Sequence, residues 1–114
     1  MDLVQLEIED RGDVVVASVS GELDLAGAPS TGEAIGDAVP TSARTLVVDF
    51  SKLEFIDSSG IAMLFNLARR LGARRQALRV VARGGEPVAR VLEIVEFERA
   101  APVHETLDEA LAAE

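Results

Sequence analysis

Two adjacent serines, Ser58 and Ser59, are the side chains of this sequence best placed to do chemistry. They lie in the segment Phe55–Ile61, between an apolar run and an amphipathic stretch that ends near Leu71, which predicts a strand, a short connection and a helix start. Asp57 and Ser58 belong to the residue types that cap helix N-termini by accepting hydrogen bonds from free backbone N–H groups. A helix N-terminus also attracts anions. The segment therefore predicts a serine that could carry a phosphate without disrupting the fold.

A simpler alternative is that Asp57 and Ser58 only cap the helix, and local chemistry alone favours this interpretation. Catalysis is less well supported, because a nucleophilic Ser58 would need a general base, usually a histidine. The single histidine, His104, lies in a polar stretch before the last predicted helix, where we expect an ordinary surface residue. The serines do not form a Gly-x-Ser-x-Gly elbow, and no phosphate-binding loop ending in Lys-Ser/Thr occurs. We therefore predict no catalytic residue and no cofactor.

Length and composition indicate a small acidic protein with one core. The chain has 114 residues, 48% of them hydrophobic, which predicts a single domain over residues 1–114. A net charge of −9 argues against direct binding of nucleic acid. There is no cysteine, so we predict no disulfide and no cysteine-based metal site. Because no apolar run approaches about 20 residues and the N-terminus lacks a signal peptide, we predict a soluble cytoplasmic protein without membrane insertion.

Arginines concentrated in one part of the chain are the exception to its acidic character. They are Arg69, Arg70, Arg74, Arg75, Arg79 and Arg83. We interpret them as a solvated helix end, where cations suit the negative end of the helix dipole. The chain also lacks Trp and Tyr, which leaves little for stacking on bases.

Alternating strands and helices are predicted to position the serines. The predicted strands are 3–8, 14–19, 45–50 and 77–82, and the predicted helices are 29–39, 58–71, a segment opened by Pro87, and 106–113. The first two strands should form an antiparallel hairpin around Gly12, and the helical crossovers require a sheet that is parallel in part. Phe97 is predicted to lie in a short edge strand or to pack in the core.

The helix after the serines has two distinct faces. Its predicted core stripe is Ile61, Leu64, Phe65, Ala68 and Leu71, and its opposite face carries Ser59, Ala62, Met63, Asn66 and Arg70. A flexible methionine on an outward face suits a binding surface, so we predict that Met63 contacts a partner. If the helix phase is off by one residue, Met63 belongs to the core instead. Gly72 is the predicted C-cap residue.

Four pieces of the sequence together resemble STAS domains of the bacterial anti-anti-sigma factor type. They are Gly21–Asp24, the strand Leu46–Phe50, the segment Phe55–Gly60 with its Asp-Ser-Ser-Gly motif, and the tail Thr106–Leu111. They span nearly the whole chain in the expected order, and the serine motif is the most specific of them. The resemblance implies an α/β fold, with a mixed sheet of four to five strands and about four helices packed against it.

The resemblance also implies a phosphorylation-controlled switch in protein binding. In the family, the unphosphorylated protein binds an anti-sigma factor that is a serine kinase, and this releases the sigma factor. The kinase then phosphorylates a serine that matches Ser58, and a PP2C-type phosphatase reverses the modification. The implied partner-binding residues are Asp24, Asp57, Ser59, Gly60, Met63 and Asn66. Asp24 matches an acidic residue that lies near the serine and helps in recognition or phosphorylation.

The sequence departs from the family pattern at two places that do not touch the serine. Ala62 stands where many relatives have glycine, and Val95–Phe97 stands where a glycine is common before the last strand. A second function also remains open, because STAS domains serve as accessory subunits of transporters or as scaffolds in stress-signalling assemblies. The retained Ser58 favours the switch, and a neighbouring gene for a kinase-like anti-sigma factor would support it.

Overall fold

Strands and helices alternate along residues 3–113, which are the residues described by the computed structural model. The strands are β1 Val4–Asp10, β2 Val14–Leu23, β3 Thr45–Ile56, β4 Ala77–Val81 and β5 Val103–His104. The helices are α1 Ala28–Ala38, α2 Ser58–Ala73, α3 Pro87–Ile94 and α4 Leu107–Ala112, with a 3₁₀ turn at Phe97–Arg99. The predicted α/β architecture is confirmed. Met1, Asp2 and Glu114, at the ends of the predicted domain, lie outside the described residues.

The five strands form one mixed sheet in the order β1-β2-β3-β4-β5, with β1 as an outer strand. β1 and β2 pair antiparallel, as the hairpin prediction requires, and Gly12 in their turn has a φ of 85°. The remaining pairs, β2–β3, β3–β4 and β4–β5, are parallel. The carboxyl ends of β2 and β3 therefore meet at one edge of the sheet, and α2 begins directly after β3.

Both central strands extend beyond their predicted ends at Val19 and Phe50. β2 continues to Leu23 and β3 to Ile56, with register irregularities between Ser18 and Ser20 and between Gly21 and Glu22. Such irregularities insert unpaired residues and bend a strand, so the simple alternation of apolar residues is lost. The extra length carries both strands up to the serine segment.

Helices cover both faces of the sheet, but unequally. The larger core contains residues of α1, α2 and α3, such as Ile35, Leu64 and Leu92, packed against the sheet. On the other face, α4 covers a small group consisting of Val16, Val47, Val81 and Ala110. Valines buried on both faces of β2, β3 and β4 explain why these strands read as continuous apolar runs.

Phe97 is a packing residue and not part of an edge strand. It is fully buried in the 3₁₀ turn, and its ring meets that of Phe65 edge to face at a centroid distance of 5.0 Å. Glu96, within the segment Val95–Phe97 where the resemblance leads us to expect a glycine, adopts a left-handed conformation with φ 55° and ψ 44°. The departure from the family pattern thus falls on a residue whose backbone conformation favours glycine.

The start of α4 and the end of α2 are both capped, and only the second cap differs from a prediction. Thr106 caps α4, because its Oγ1 accepts a hydrogen bond from the backbone N–H of Glu109 at 3.1 Å. The prediction for Gly72 is wrong: α2 continues to Ala73, Arg74 is its C-cap residue, and the left-handed residue is Arg75 with a φ of 58°. Arg74 also donates a hydrogen bond to the carbonyl of Val39 at 3.4 Å, which ties this end of α2 to the end of α1.

His104 is half-buried in β5, so the prediction of an ordinary surface residue is wrong. Its backbone carbonyl accepts a hydrogen bond from the Ala82 N–H, and its Nε2 atom is buried. β4 lies between its strand and β3, the strand that leads to the serines.

No helix within residues 3–113 has the length and apolar character needed to cross a bilayer.

Candidate functional site

Asp57 caps the first turn of α2 through one carboxylate oxygen. Its Oδ1 atom accepts hydrogen bonds from the backbone N–H of Ser59 at 2.8 Å and of Gly60 at 3.2 Å. Its backbone carbonyl accepts from the N–H of Ile61 at 3.0 Å. The sequence favours this arrangement, because an aspartate with extended backbone geometry before a helix places its oxygen over the free N–H groups.

The second carboxylate oxygen of Asp57 reaches a different part of the chain. Its Oδ2 atom accepts a hydrogen bond from the N–H of Leu25 at 3.2 Å, and the N–H of Asp57 donates to the carbonyl of Leu23 at 3.2 Å. Asp57 therefore joins the start of α2 to the loop between β2 and α1. This contact depends on the parallel pairing of β2 and β3, which brings their carboxyl ends together.

Asp24 lies in that loop, between the two residues that bond to Asp57. Its Oδ1 atom accepts hydrogen bonds from the N–H groups of Ala26 at 3.1 Å and Gly27 at 3.3 Å, and its carbonyl accepts from Ala28 at 2.8 Å. The Asp24 side chain thus shapes the turn into α1 while its neighbours hold the serine segment. Asp24 directly follows β2, whose carboxyl end lies beside the serine segment.

The two serines differ in exposure. Ser58 is exposed as the first residue of α2, and Ser59 is half-buried as the second. Three of the first four N–H groups of α2, those of Ser59, Gly60 and Ile61, already donate to Asp57. These three N–H groups are therefore not free to bind a phosphate. A phosphate on Ser58 would compete with Asp57 for them and would otherwise face solvent.

Gly60 has a packing role at the base of the site. It is buried, and a Cβ atom there would lie 2.6 Å from Ile56 Cγ1 and 3.0 Å from the carbonyl oxygen of Leu23. Only a residue without a side chain lets α2 approach the ends of β2 and β3 this closely. Its predicted contact with a partner finds no support in this buried position.

An apolar groove of about 390 Å³ runs between α1 and α2, next to the serines. Leu25, Pro29, Ser59, Ala62 and Asn66 line its mouth and walls, and Arg70 lies at its far end, within 3.3 Å of Asp37. The outward orientation predicted for Asn66 is confirmed, because that residue is exposed. The groove makes a concave apolar surface that reaches Ser59, the residue after the exposed Ser58.

Leu25 is the residue of this site that the sequence did not reveal. Its side chain is 73% exposed, although leucine is one of the residues most often buried. A single leucine in a loop gives no periodic signal, and only its position after the Gly-Glu-Leu-Asp segment could have drawn notice.

Met63 is buried, so its predicted outward orientation is wrong. It is 6% exposed and packs against α1, where a Cβ atom added to Gly32 would lie 2.6 Å from Met63 Cγ. Leu67 is also buried, whereas Ile61 and Phe65 of the predicted core stripe are only half-buried. The phase of the helix differs by about one residue from the prediction because α2 packs against α1 as well as the sheet. Met63 now forms part of the groove floor.

Metal-binding groups are absent from the described part of the chain. Among residues 3–113, no group of three or more His, Asp or Glu side chains is arranged to hold a metal ion. The site offers a hydroxyl, two carboxylates and an apolar groove, which suit recognition by another protein and modification of the hydroxyl.

The fold agrees with comparisons to known proteins. The anti-sigma-F factor antagonist RsfB of Mycobacterium tuberculosis is 32% identical over 110 residues, which cover 96% of this chain and 88% of that protein. A crystal structure of an anti-sigma factor antagonist from Mycobacterium paratuberculosis is 37% identical, with a TM-score of 0.83, over 95% of this chain and 91% of that one. The Bacillus cell fate determinant SpoIIAA in its phosphorylated form, at 24% identity and a TM-score of 0.71, shares the fold over 94% of this chain and 96% of that one.

The family itself is identified by the sequence. The family model described as the STAS domain matches residues 5–110, which include β1 from its second residue onward and the other four strands in full, and reach into the last helix. The chain belongs to the STAS domain family.

Proposed function

We propose that this protein is an anti-sigma factor antagonist. In this proposal, the unphosphorylated form binds an anti-sigma factor serine kinase and thereby releases a sigma factor, and phosphorylation of Ser58 ends the binding. The names of the similar proteins from two mycobacteria support the first part. The observation that carries the second part is the exposed hydroxyl of Ser58, held at the first position of α2 by the Asp57 cap.

The local charges explain why a phosphate on Ser58 would oppose binding. Phosphorylation adds a charge of about −1.5 to −2 at neutral pH. Asp57 is the preceding residue, and its carboxylate already accepts from three N–H groups around the serine. The added charge would therefore meet a carboxylate and few free donors, and a partner shaped for a hydroxyl would have to desolvate it.

The partner surface in this proposal surrounds Ser58. Ser59 follows it in α2, Asp24 lies in the loop that Asp57 joins to the start of this helix, and Asn66 extends the surface about two turns along α2. Asp57 acts on this surface through its hydrogen bonds, while Gly60 and Met63 support it from below. A PP2C-type phosphatase would restore the binding form. The protein itself would be a regulatory binding partner in the cytoplasm and not an enzyme.

Incubation with the cognate anti-sigma factor kinase and ATP, followed by mass spectrometry, tests the assignment. We expect phosphate on Ser58 in the wild-type protein and in Ser59→Ala. The Ser58→Ala variant should bind the kinase and remain bound in the presence of ATP. Ser58→Asp should bind poorly, because it places a permanent charge where the partner requires a hydroxyl.

Phosphate on Ser59, or kinase binding by Ser58→Asp as tight as that of the wild type, would contradict the proposal. Absence of both binding and phosphorylation would favour the alternative of an accessory or scaffold subunit of a transporter or stress-signalling assembly. Ser59→Ala serves as the matched control, since it removes the neighbouring hydroxyl from the same helical turn.

A further inference from the structure

We infer that Asp57 is a positioning residue that presents the exposed side chain of Leu25 to the anti-sigma factor. The inference rests on the proposed function and names an apolar anchor and the group that holds it. The two carboxylate oxygens of Asp57 have separate tasks: Oδ1 caps α2, and Oδ2 holds the backbone of Leu25.

The position of Leu25 is unusual for a large apolar side chain. It is 73% exposed in a loop, at the mouth of the groove whose floor includes Met63 and Leu67. Leu25 is also separated from Asp57 by 32 positions in sequence, yet its backbone nitrogen lies 3.2 Å from Asp57 Oδ2. Ile94 is equally exposed, but it lies on α3 and does not line this groove. Leu25 thus combines exposure, proximity to Ser58 and a fixed backbone.

Holding the loop before the partner arrives favours binding. An exposed leucine on a free loop loses conformational freedom when it is buried in an interface, and this loss weakens association. Asp57 fixes the backbone on one side of the loop, and the Asp24 carboxylate fixes the residues that follow through Ala26 and Gly27. The loop is therefore ordered in the free protein, and burial of its leucine adds apolar contact area at a small entropic cost.

The substitution Asp57→Asn separates the two tasks of the residue. The asparagine side chain has one acceptor oxygen and an amide group that only donates. Two N–H groups point at the Oδ1 position and one at the Oδ2 position, so the asparagine oxygen should stay at the cap. Asparagine is also as good an N-cap as aspartate. Asp57→Asn should therefore keep the helix cap and lose only the bond to Leu25.

Amide hydrogen exchange in the free protein tests the contact without any partner. In Asp57→Asn the N–H of Leu25 should exchange faster than in the wild type, while those of Ser59 and Gly60 keep their rates. Asp24→Ala is the matched control, because it disturbs the amides of Ala26 and Gly27 and leaves the bond to Asp57. An unchanged exchange rate at Leu25 in Asp57→Asn overturns the inference.

A double-mutant cycle with the recombinant anti-sigma factor kinase tests the consequence for binding. Leu25→Ala should raise the Kd about tenfold, the change that corresponds to one modest interface anchor. Asp57→Asn should raise it by less, and the double variant should bind about as well as Leu25→Ala alone, because both changes remove one interaction. If the two substitutions have additive effects on the Kd, Asp57 does not position Leu25. If Leu25→Ala binds as tightly as the wild type, Leu25 is not an anchor.

Failure of the proposed function gives a different result. A wild-type protein that does not bind the recombinant kinase overturns the antagonist function and the anchor with it. Normal wild-type binding together with additive effects overturns the positioning role alone.

Discussion

Under the proposed function, Asp24 takes part in partner recognition and contributes little to the stability of the fold. Its Oδ1 atom shapes the turn into α1, and asparagine would keep an oxygen in the same place. We therefore expect Asp24→Asn to change the free energy of unfolding by less than about 0.5 kcal/mol. Kinase binding or the rate of Ser58 phosphorylation should fall, because the variant lacks the negative charge beside the serine. Calorimetry and a phosphorylation time course check both parts. If Asp24→Asn is phosphorylated as fast as the wild type, Asp24 serves only to shape the turn.

Glu96 occupies a left-handed conformation that costs a residue with a Cβ atom about 1–2 kcal/mol. Glycine avoids this cost but loses about 0.5–1 kcal/mol of backbone entropy on folding. We expect Glu96→Gly to raise the free energy of unfolding by about 0.5–1 kcal/mol. The salt bridge that it removes, to Arg99 at 3.9 Å on the surface, contributes little.

Glu96→Ala is the control for that substitution, because it removes the same charge and keeps the Cβ atom. Urea denaturation of both variants separates backbone strain from electrostatics. Equal stability of the alanine and glycine variants would show that the left-handed conformation is not the cause.

The contact between α1 and α2 decides which face of α2 is available to a partner. Met63 is buried against Gly32, so Met63→Glu would bury an unpaired charge and should lower the free energy of unfolding by about 3 kcal/mol or more. Met63→Leu, which conserves volume, should cost less than about 1.5 kcal/mol. Thermal unfolding of the two variants checks this. An unchanged melting temperature for Met63→Glu would mean that Met63 is exposed and not part of the core.

Asn66 is the exposed position of α2 that tests the partner surface directly. Asn66→Glu should leave the free energy of unfolding within about 0.5 kcal/mol of the wild type, because the residue faces solvent. It should weaken kinase binding by about 2 kcal/mol, since an unpaired charge would enter a desolvated contact. Titration calorimetry measures the effect, and unchanged binding would place the partner surface away from this part of the helix.

The sequence predicted the nature of α2 but not its phase. Its cap at Asp57 and its buried Leu64 and Leu71 follow from local chemistry and helical spacing. The burial of Met63 follows from Gly32 on a different helix, where a missing side chain makes room for it. Periodicity within one segment contains no information on such a neighbour. The outward orientation predicted for Met63 is therefore wrong, whereas that predicted for Asn66 is confirmed.

At the scale of the whole molecule, the order of elements was enough to predict a mixed sheet. A hairpin followed by helical crossovers allows few other arrangements. The positions where β2 and β3 end were not predictable in the same way, because irregular register near Ser18 and Glu22 interrupts the alternation of side chains. The hydrogen bond between Asp57 and Leu25 depends on the positions of those strand ends. This explains why the sequence indicated Asp57 and Ser58 but not Leu25.

The small helix α4 completes the second face of the sheet. It covers Val16, Val47 and Val81, and the Ala110 carbonyl accepts a hydrogen bond from Arg79 at 3.0 Å. Ending the chain after Glu105 should lower the free energy of unfolding by at least about 3 kcal/mol, because three valines become exposed. Urea denaturation and binding of a hydrophobic dye measure this, with Asp108→Ala in the full chain as the control. A truncated chain as stable as the full one would mean that α4 is dispensable.

The outermost strand, β1, also affects how the protein behaves at high concentration. Within residues 3–113, one side of β1 has no neighbouring strand, and a free strand edge can pair with another molecule. The acidic side chains of Glu7, Glu9 and Asp10 are exposed on β1, and charged residues on an edge strand oppose such pairing. Near the isoelectric point of about 4.5, the net charge of the protein approaches zero and the repulsion between molecules disappears. Concentrated solutions should therefore precipitate reversibly close to that pH, through sheets extended from one molecule to the next, and stay clear at neutral pH.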